Sequence, residues 1–416
     1  MPGGRGDGGT IAPIPPPLAA VTTSELGLVQ WLRRDWDANA PAPAITTDEW
    51  EHVVRRALHH GVAGLLCRSL VRGPAGVPDD IRDAAGIYLD HALAEGETRR
   101  RQTVEVLETL DADDVPVLAV KGTALSVLAH GAPGLRPGKD IDVLVHREDM
   151  GRAVGSLAKI GYRLGDELGP LITEVCFDTY GQDVVFANGR MPVEPHWTFA
   201  PRTLCIDLDL DAIWRAAIAV DLGARTVRTL SIEDTLLVAC LHGAKEKWWR
   251  LLWIADVAAL VHRHPALAWN AVVERASRAG ILRILHLGLG LARELFALRL
   301  PVELGEAIDR DAQCRRLIEE SRQRVFADAD GPESLWHVSS FHWRARERLR
   351  DRLRYLARTV TTPEFKHYRM VALPDRLVFA YVPLKVVHDY VLLPIWNLGK
   401  GRIWRRVATA ALADRR

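Results

Sequence analysis

The chain has 416 residues, of which 48% are hydrophobic and 26% are charged, and its formal net charge is +1. This length predicts two or three packed units rather than one small binding module, and the composition excludes collagen, wholesale disorder and an integral membrane bundle. A net charge near zero provides no overall field that would draw the protein onto nucleic acid, so nucleic acid is not an expected partner.

The N-terminal part of the chain changes from a tail to helices. Residues 1–23 are rich in glycine and proline and lack the apolar core of a signal peptide, which predicts a disordered tail without a targeting signal. Apolar residues then recur three and four positions apart, the spacing of an amphipathic helix. This spacing predicts helices at 24–36, 47–70 and 80–110. Residues 24–112 are therefore predicted to form an N-terminal helical region.

The pattern changes at about residue 113, where short β-branched and apolar runs alternate with glycines and short helical stretches. We predict strands at 115–120 and 141–145, helices at 122–129 and 150–160, and four further short segments around residue 162 and at 172–179, 183–187 and 192–197. Residues 113–230 are therefore predicted to form a mixed α/β core with a small sheet.

The remainder of the chain returns to helical spacing from residue 206 onward, notably at 232–245, 249–261 and 271–298. We predict a helical domain at 231–340 and a basic helical region at 341–416. From Arg344 to the end, 17 Lys+Arg face 6 Asp+Glu, which leaves 37 against 47 for the rest. The arginines at alternate positions from 344 to 354 are typical of a solvated helix. The mixture of aromatic and basic residues at 377–406 also suits an interfacial element on an anionic membrane or an acidic partner.

Cysteine usage and hydropathy indicate the compartment. The five cysteines are scattered without zinc-site spacing, which favours buried, reduced thiols. The longest apolar stretch, at 377–396, is interrupted by Lys385, His388 and Asp389, so no segment reaches the roughly 18 apolar residues of a membrane span. We expect a cytoplasmic protein, with peripheral contact at a membrane surface as the alternative.

The most informative stretch is residues 139–145, KDIDVLV. Because successive strand side chains point to opposite faces, Asp140 and Asp142 are expected on one face, about 7 Å apart. Two neighbouring carboxylates on an apolar strand repel each other unless a cation lies between them. A pair of Mg²⁺ ions that clamps a phosphoryl displacement is one solution. The alternative is an exposed strand end that pairs with Lys121, Arg136 or Lys139.

Three further features point to phosphate chemistry. Lys121-Gly122 lies where a predicted strand ends and a helix begins, so that the glycine lets phosphate approach and the lysine supplies charge. Glu194 is a third acid on a late strand, with His196 on the same face, and it could complete a metal site or accept a proton from a hydroxyl. Arg136 could bind phosphate or brace the carboxylates. The alternative for Lys121-Gly122 is an ordinary turn between a strand and a helix. The alternative for Glu194 is a solvated residue on an edge strand.

Two features of the later helices are also informative. His242 and Lys245 share a helix face and could reach a phosphate tail, although a solvated basic helix end is the alternative. Asp256 within an apolar helix predicts a buried polar contact, with Arg250 as the expected partner.

These motifs together resemble the bacterial nucleotidyltransferase-like proteins of the DNA polymerase β superfamily. Their order is K-G at 121–122, R at 136, KDIDVLV at 139–145 and VEPHW at 193–197. This order is similar to an uncharacterised branch with the pattern K-G, R, D-[IL]-D-[IL]-L-[VI] and E-x-H-W. The stretches at 58–66 and 241–256 are also similar to helices of that branch.

The resemblance implies an α+β fold in which a small mixed sheet of the polymerase β nucleotidyltransferase type is flanked by N-terminal and C-terminal helical regions. It implies transfer of a nucleoside monophosphate from an NTP, with ATP as the expected one, and release of pyrophosphate. By position, Asp140, Asp142 and Glu194 would be catalytic and would hold Mg²⁺ or Mn²⁺. The residues that would bind the nucleotide are Lys121, Gly122, Arg136, Lys139, His196 and Lys245. The usual turn of the superfamily is Gly-Ser, so the Lys-Gly turn is expected to contact the triphosphate differently.

The acceptor is left open between a small molecule, a peptide and a protein hydroxyl or phosphate. The alternative function is an inactive nucleotidyltransferase-fold binding protein that uses its basic C-terminal surface for a partner or a membrane. Mg²⁺-dependent nucleotide binding that Asp140→Asn abolishes would indicate the enzyme, whereas a scaffold would be indifferent to this change. A transferase that acts on tRNA requires a basic track beside the acids, which the negative balance before residue 344 disfavours.

Overall fold

A computed structural model describes residues 22–37, 39–73, 77–164, 185–223, 225–327, 335–371 and 373–393. Three predicted features lie outside these residues: the tail as far as residue 21, the segment at 172–179, and the end of the interfacial element from residue 394. The fold therefore concerns the remaining segments, in which the predicted site residues all lie.

The N-terminal part of the described chain is helical. Its helices are α1 (Thr23–Arg34), α2 (Thr47–His59), α3 (Ala63–Arg72) and α4 (Asp79–Ala112). Helix α1 begins at a capping box in which Thr22 and Glu25 satisfy each other's backbone N–H groups. The single helix predicted at 47–70 is two helices because Gly61 adopts a φ of +71°, a left-handed conformation that ends a helix.

The centre of the molecule is one mixed sheet. Its strands are β1 (Val117–Ala119), β2 (Ile141–Val145), β3 (Arg163–Leu164), β4 (Phe186–Ala187), β5 (Val193–His196), β6 (Ile218–Asp221) and β7 (Thr226–Thr229). The strand order is β3-β4-β5-β2-β1-β7-β6. Strand β2 is antiparallel to β1 and parallel to β5, and all five of its residues are buried. The predicted α+β fold with a small mixed sheet and helical flanks is confirmed.

The hairpin of β6 and β7 corrects one prediction. Helical spacing was expected from residue 206, but these two four-residue strands pair with each other, and β7 also pairs with β1. Strand β7 alternates exposed and buried side chains, as a half-buried strand does. Four residues are too few for this alternation to be distinguished from a helical pattern in the sequence.

Short helices connect the strands, and a longer helical body follows them. The connecting helices are α5 (Gly122–Leu125), which continues as a π-helical turn (Ser126–His130), α6 (Met150–Lys159) and α7 (Leu210–Arg215). The helical body consists of α8 (Ile232–Lys245), α9 (Leu251–Arg263), α10 (Trp269–Ala279), α11 (Leu282–Phe296), α12 (Val302–Arg310), α13 (Ala312–Phe326), α14 (Leu335–Arg344), α15 (Leu349–Thr361), α16 (Phe365–Met370) and α17 (Tyr381–Val387). The helix predicted at 271–298 divides into α10 and α11 at Gly280, whose φ is +69°.

Helices α8, α9 and α11 pack on one another, and the fully buried Trp248 lies against α8 and α11. A Cβ atom at Gly243 would lie 2.4 Å from its ring, and a Cβ atom at Gly288 would lie 2.9 Å away. Both glycines therefore make room for the indole. Helix α9 is buried from Leu251 to Val261, which is typical of the central helix of a bundle. Among the residues that the structure describes, no helix is both long enough and apolar enough to cross a membrane.

The cysteines that lie within the described segments are free thiols. Cys240 and Cys314 are buried, as predicted, whereas Cys67 is half-buried. Burial, followed by the charge of Asp311, raises the pKa of the Cys314 thiol to about 12. A buried thiol that stays protonated is chemically inert, which supports a packing role for this residue.

Two buried histidines predict that folding stability depends on pH. Burial, and then the charge of Arg56, lowers the pKa of His60 to about 3, and burial with Arg346 does the same for His342. Histidines of the unfolded chain have a pKa of about 6.5, so below that pH the unfolded chain binds protons that the folded one rejects. These two histidines therefore do not reduce the free energy of unfolding above about pH 6.5. Below that pH the free energy of unfolding is expected to fall by about 1.4 kcal/mol per pH unit for each histidine.

Urea unfolding at pH 7.5, 6 and 5 measures this loss. The exposed His91 provides a matched control, because His91→Gln should leave the slope of stability against pH unchanged while His60→Gln reduces it. Equal stability at pH 7.5 and pH 5 in the wild-type protein would contradict the prediction.

Candidate active site

The two central strands bring acids from distant parts of the chain together. Strands β2 and β5 run parallel in a register that sets Asp142 opposite Glu194. Neighbouring strands lie about 4.8 Å apart, so the two side chains project from adjacent positions of the sheet. The structure thus places Glu194 beside the acidic strand, as the sequence predicted.

The carboxylate of Asp142 is nearly buried and is contacted by two side chains. Lys121 Nζ lies 2.8 Å from Asp142 Oδ1, and His196 Nε2 lies 2.7 Å from the same oxygen. Burial alone would raise the pKa of Asp142, but the charge of Lys121 and the hydrogen bond from His196 outweigh it and hold this pKa well below its usual range. Asp142 is therefore anionic at physiological pH.

The compact group of acids differs from the predicted one. Asp142, Glu194 and His196 each offer a ligand atom, and these atoms all lie within 4.8 Å of one another. Within the described residues Asp140 does not belong to this group, although it is coupled to it by charge. Burial and then the charge of Asp142 raise the pKa of Asp140, and Lys121 acts in the opposite direction. His196, which the resemblance assigned to the nucleotide, lies among the acids instead.

The Lys121-Gly122 turn occupies the predicted place between a strand and a helix. Strand β1 ends at Ala119 and α5 begins at Gly122. Lys121 has φ and ψ angles of 49° and −140°, a conformation that costs a non-glycine residue about 1–3 kcal/mol. Gly122 also has a positive φ, of 35°. This strained turn directs the lysine toward Asp142.

Arg136 takes part in a buried network on the other side of the turn. Arg136 Nε lies 2.9 Å from Asp256 Oδ2, and His130 Nε2 lies 2.8 Å from Asp256 Oδ1. Burial would lower the pKa of Arg136, but Asp256 and the two strand acids raise it. Because its side chain is only 9% exposed and engaged by Asp256, this geometry favours a bracing role over direct contact with phosphate.

The network corrects the expected partner of Asp256. The buried polar contact was predicted correctly, but Arg250 was the wrong partner, since its guanidinium lies over the Trp249 ring at 4.3 Å. The role of His130 was missed entirely. An acid within an apolar helix was the only sequence signal for this network, and that signal does not identify the partners.

Some of the basic residues that were predicted to bind the nucleotide line a small cavity, and the others lie away from it. A cavity of about 20 Å³, room for about one water molecule, is lined by Lys121, Arg136 and His242 among others. Burial, and then the positive charges of Lys121 and Lys245, lower the pKa of His242 well below its usual value, so this imidazole is neutral. Lys245 Nζ lies 3.8 Å from Glu246 Oε1 at the end of α8. Lys139 is exposed.

A comparison with known protein families identifies the family of the chain. The family model described as "uncharacterised nucleotidyltransferase" matches residues 46–297, which is more than half of the chain. The chain belongs to this nucleotidyltransferase family. It is therefore a transferase, as the motifs predicted.

Among solved structures, the chain is similar to the solution structure of the antibiotic-resistance factor ANT(2'')-Ia. The two share 14% sequence identity, and the match covers 44% of this nucleotidyltransferase and 90% of the other chain with a TM-score of 0.31. No curated protein matches the chain significantly.

A divalent cation fits the acid group of this nucleotidyltransferase. Mg²⁺ is usually bound through one or two carboxylates together with phosphate oxygens of the substrate. Asp142 and Glu194 supply two carboxylates on adjacent strands, and the charge of Asp142 helps to raise the pKa of Asp140.

A second histidine-acid group near the C-terminus has one carboxylate where the Asp142 group has two. Ligand atoms of His367, His388 and Asp389 also lie within 4.8 Å of one another. However, His367 Nδ1 accepts a hydrogen bond from the Glu364 backbone N–H. The proton of the His367 ring is therefore on Nε2, which donates a hydrogen bond to Asp389. Lys385 Nζ adds a further cation 3.1 Å from the same carboxylate. The group is therefore a buried ion cluster that ties α16 to α17.

Proposed function

We propose that this nucleotidyltransferase transfers a nucleoside monophosphate from an NTP, with ATP as the first candidate, to a hydroxyl or phosphate of an acceptor in a Mg²⁺-dependent reaction. The observation that carries the proposal is the register of β2 and β5, which sets Asp142 beside Glu194 under Lys121 and His196. Sequence motifs, family membership and this geometry all support the same chemistry.

In this transfer an acceptor oxygen forms a bond to the α-phosphorus of the NTP. The bond from that phosphorus to the oxygen that bridges it to the β-phosphate breaks, and pyrophosphate leaves with the electron pair. Magnesium held by Asp142 and Glu194, with Asp140 beside them, would supply charge neutralisation of the phosphates when bound. The remaining chemistry falls to the protein's own side chains.

The acids have different properties for these roles. Asp142 is a poor base, because Lys121 and His196 hold its pKa low. Glu194 retains a 22% exposed side chain on the same face of the sheet, so it is the acid best placed to accept the proton of the acceptor. His196 fixes Asp142 through its Nε2, and Lys121 supplies a positive charge at the acids that would contact phosphate oxygens once the nucleotide is present.

Label transfer tests the proposal directly. The full chain is incubated with each α-³²P-labelled NTP, Mg²⁺ and a panel of small-molecule, peptide and protein acceptors, and products are identified by the mass of one added nucleotide. We expect transfer from at least one NTP that stops in EDTA. As a matched control, Glu148→Gln should retain full activity, since Glu148 is an exposed acid in the turn after β2. Failure to bind any NTP in the presence of Mg²⁺ would overturn the proposal and favour the inactive binding protein.

A further inference from the structure

The exposed apolar side chains of the protein are concentrated near its C-terminal end. In the part of the chain that the structure describes, 17 large apolar side chains are exposed, and 11 of them lie between Leu349 and Leu392. Large exposed apolar patches on a folded protein usually mark a surface that binds a partner or a membrane. This stretch is therefore a candidate binding surface.

Helix α15 contributes a row of leucines to this surface. Leu349, Leu353 and Leu356 follow one another at intervals of four and three residues, so they lie on one side of the helix, and each is more than half exposed. The buried residues of the helix are Asp351 and Tyr355. Each of them lies two positions after a leucine, which corresponds to about 200° of rotation around an α-helix. The helix is thus anchored through another side and presents its leucines outward.

The last described turn of the chain extends this row into one face. Helix α17 packs against α15 and continues as a π-helical turn, His388–Leu392. The hydroxyl of Tyr390 in that turn donates a hydrogen bond of 3.4 Å to the Thr359 carbonyl oxygen. Leu356 and Tyr390, both about half exposed, line the same depression of about 420 Å³. Its other lining residues are Ser340, Trp343, Tyr355, Thr359 and Val360. The leucine row and the turn therefore border one mainly apolar depression.

A basic row lies beside the leucine row on α15. Its members, Arg350, Arg354 and Arg358, recur every four residues and are exposed. Two of them pair with acids, so the charge of this surface is a property of the whole region rather than of single arginines. From residue 344 to the end of the chain, 17 Lys+Arg face 6 Asp+Glu. Even with Asp207 and Glu320, which pair with arginines of the region from outside it, the basic residues exceed the acids.

This excess of positive charge discriminates between the possible occupants of the face. A second copy of the chain that docked symmetrically here would bring two basic surfaces together. The chain's own residues 394–416 carry 6 Lys+Arg and 1 Asp, so like charges oppose their docking as well. Anionic lipid headgroups have the opposite charge, and a bilayer accepts an exposed apolar row without needing a complementary pocket. Charge complementarity therefore favours a lipid surface.

We propose that the face formed by the α15 leucine row and Tyr390 binds the surface of an anionic lipid bilayer. The leucines enter the boundary between the headgroups and the acyl chains, as the apolar face of an interfacial helix does. The neighbouring basic row then lies at the level of the lipid phosphates. Tyr390 suits the same boundary, because its ring is apolar and its hydroxyl is polar.

Sedimentation of the full chain with lipid vesicles tests this proposal. The vesicles contain equal amounts of phosphatidylglycerol and phosphatidylcholine, and the buffer contains EDTA and no nucleotide, so the result is independent of the proposed transfer reaction. We expect the protein to sediment with these vesicles and to bind less as NaCl is raised. Binding to vesicles of phosphatidylcholine alone should be at least about tenfold weaker, because the attraction to anionic headgroups is absent.

A matched pair of variants locates the contact. Leu353→Glu should weaken binding to the anionic vesicles by at least about tenfold, because it removes an apolar side chain from the boundary and adds a negative charge there. Leu58→Glu is the control and should bind like the wild type, since Leu58 lies on α2 and is 53% exposed, as is Leu353. Circular dichroism of each variant verifies that the fold is retained.

Three results would overturn the proposal. The first is that the wild-type protein does not sediment with the anionic vesicles. The second is that Leu353→Glu and Leu356→Glu both bind them like the wild type, which would assign the lipid contact to another surface. The third is that light scattering finds a wild-type dimer that Leu353→Glu dissociates while vesicle binding is unchanged, which would mean that a second copy covers this face.

Discussion

Replacement of Asp142 by asparagine is expected to abolish nucleotidyl transfer, with kcat/KM reduced at least about 1,000-fold. In the proposed mechanism an amide would lack the negative charge that holds Mg²⁺ between the strands, and a catalytic metal contributes several kcal/mol of transition-state stabilisation. Each 1.4 kcal/mol corresponds to about a tenfold change in rate. The measurement is initial-rate label transfer from the NTP that the wild-type protein uses, at saturating Mg²⁺.

A second variant separates this chemical effect from unfolding. Asp142→Asn also weakens the contacts of Lys121 and His196, so a stability loss could accompany it. Glu194→Gln changes a partly exposed carboxylate and is expected to reduce kcat by about 100- to 10,000-fold, the usual contribution of a general base, without lowering the midpoint of thermal unfolding. Glu148→Gln again serves as the control. An Asp142→Asn protein with more than a tenth of wild-type activity would contradict the assignment of the metal site.

Local features of the candidate active site could be predicted from the sequence. The strand Ile141–Val145 was predicted with the boundaries that it has, because a short apolar run between polar residues is a local pattern. The Lys121-Gly122 turn was predicted for a similar reason, since the change from a β-branched run to helical spacing marks it. Glu194 was predicted as a third acid from its place in a late strand and from the resemblance.

The grouping of the acids could not be predicted in the same way. Alternation along one strand fixes the relation of Asp140 to Asp142, but the relation of Asp142 to Glu194 depends on which strands pair and in what register. That register brings His196 to Asp142, which is why a residue predicted at the nucleotide is a neighbour of the acids. Strand pairing is a long-range property, and the spacing of residues in one segment carries no information about it.

The partner of Asp256 illustrates the same limit in a helix. Arg250 is near in sequence, but residues six apart lie on different sides of a helix, whereas residues three or four apart face each other. The actual partners, Arg136 and His130, precede Asp256 by 120 and 126 residues. Only the packing of α9 against the turn after α5 brings them together.

Loss of Asp256 is expected to cost the protein more stability than loss of any surface ion pair. Asp256 and its two partners are almost completely buried, so Asp256→Asn leaves the Arg136 charge without compensation. Breaking a buried pair by removing one partner costs about 3–5 kcal/mol. Urea unfolding at pH 7.5 measures this difference. The matched control is Glu51→Gln, which breaks the exposed pair of Glu51 with Arg55 and should cost less than about 1 kcal/mol.

A double variant tests whether the uncompensated charge is the cause. Asp256→Leu combined with Arg136→Met removes both charges and is expected to recover much of the stability, because apolar replacement of a whole buried pair is often neutral. Recovery should be incomplete, since His130 loses its acceptor. A double variant as unstable as Asp256→Asn would instead assign the loss to packing around the Arg136 side chain.

The same double variant separates stability from catalysis. Asp140 and Asp142 lie within the electrostatic reach of Arg136 and raise its pKa, so its positive charge in turn favours the ionised state of both acids. The double variant lacks that charge, so we expect it to remain at least tenfold less active than the wild type although its unfolding midpoint recovers. Recovery of activity together with stability would mean that Arg136 only holds the turn in place and that its charge contributes nothing to the acids.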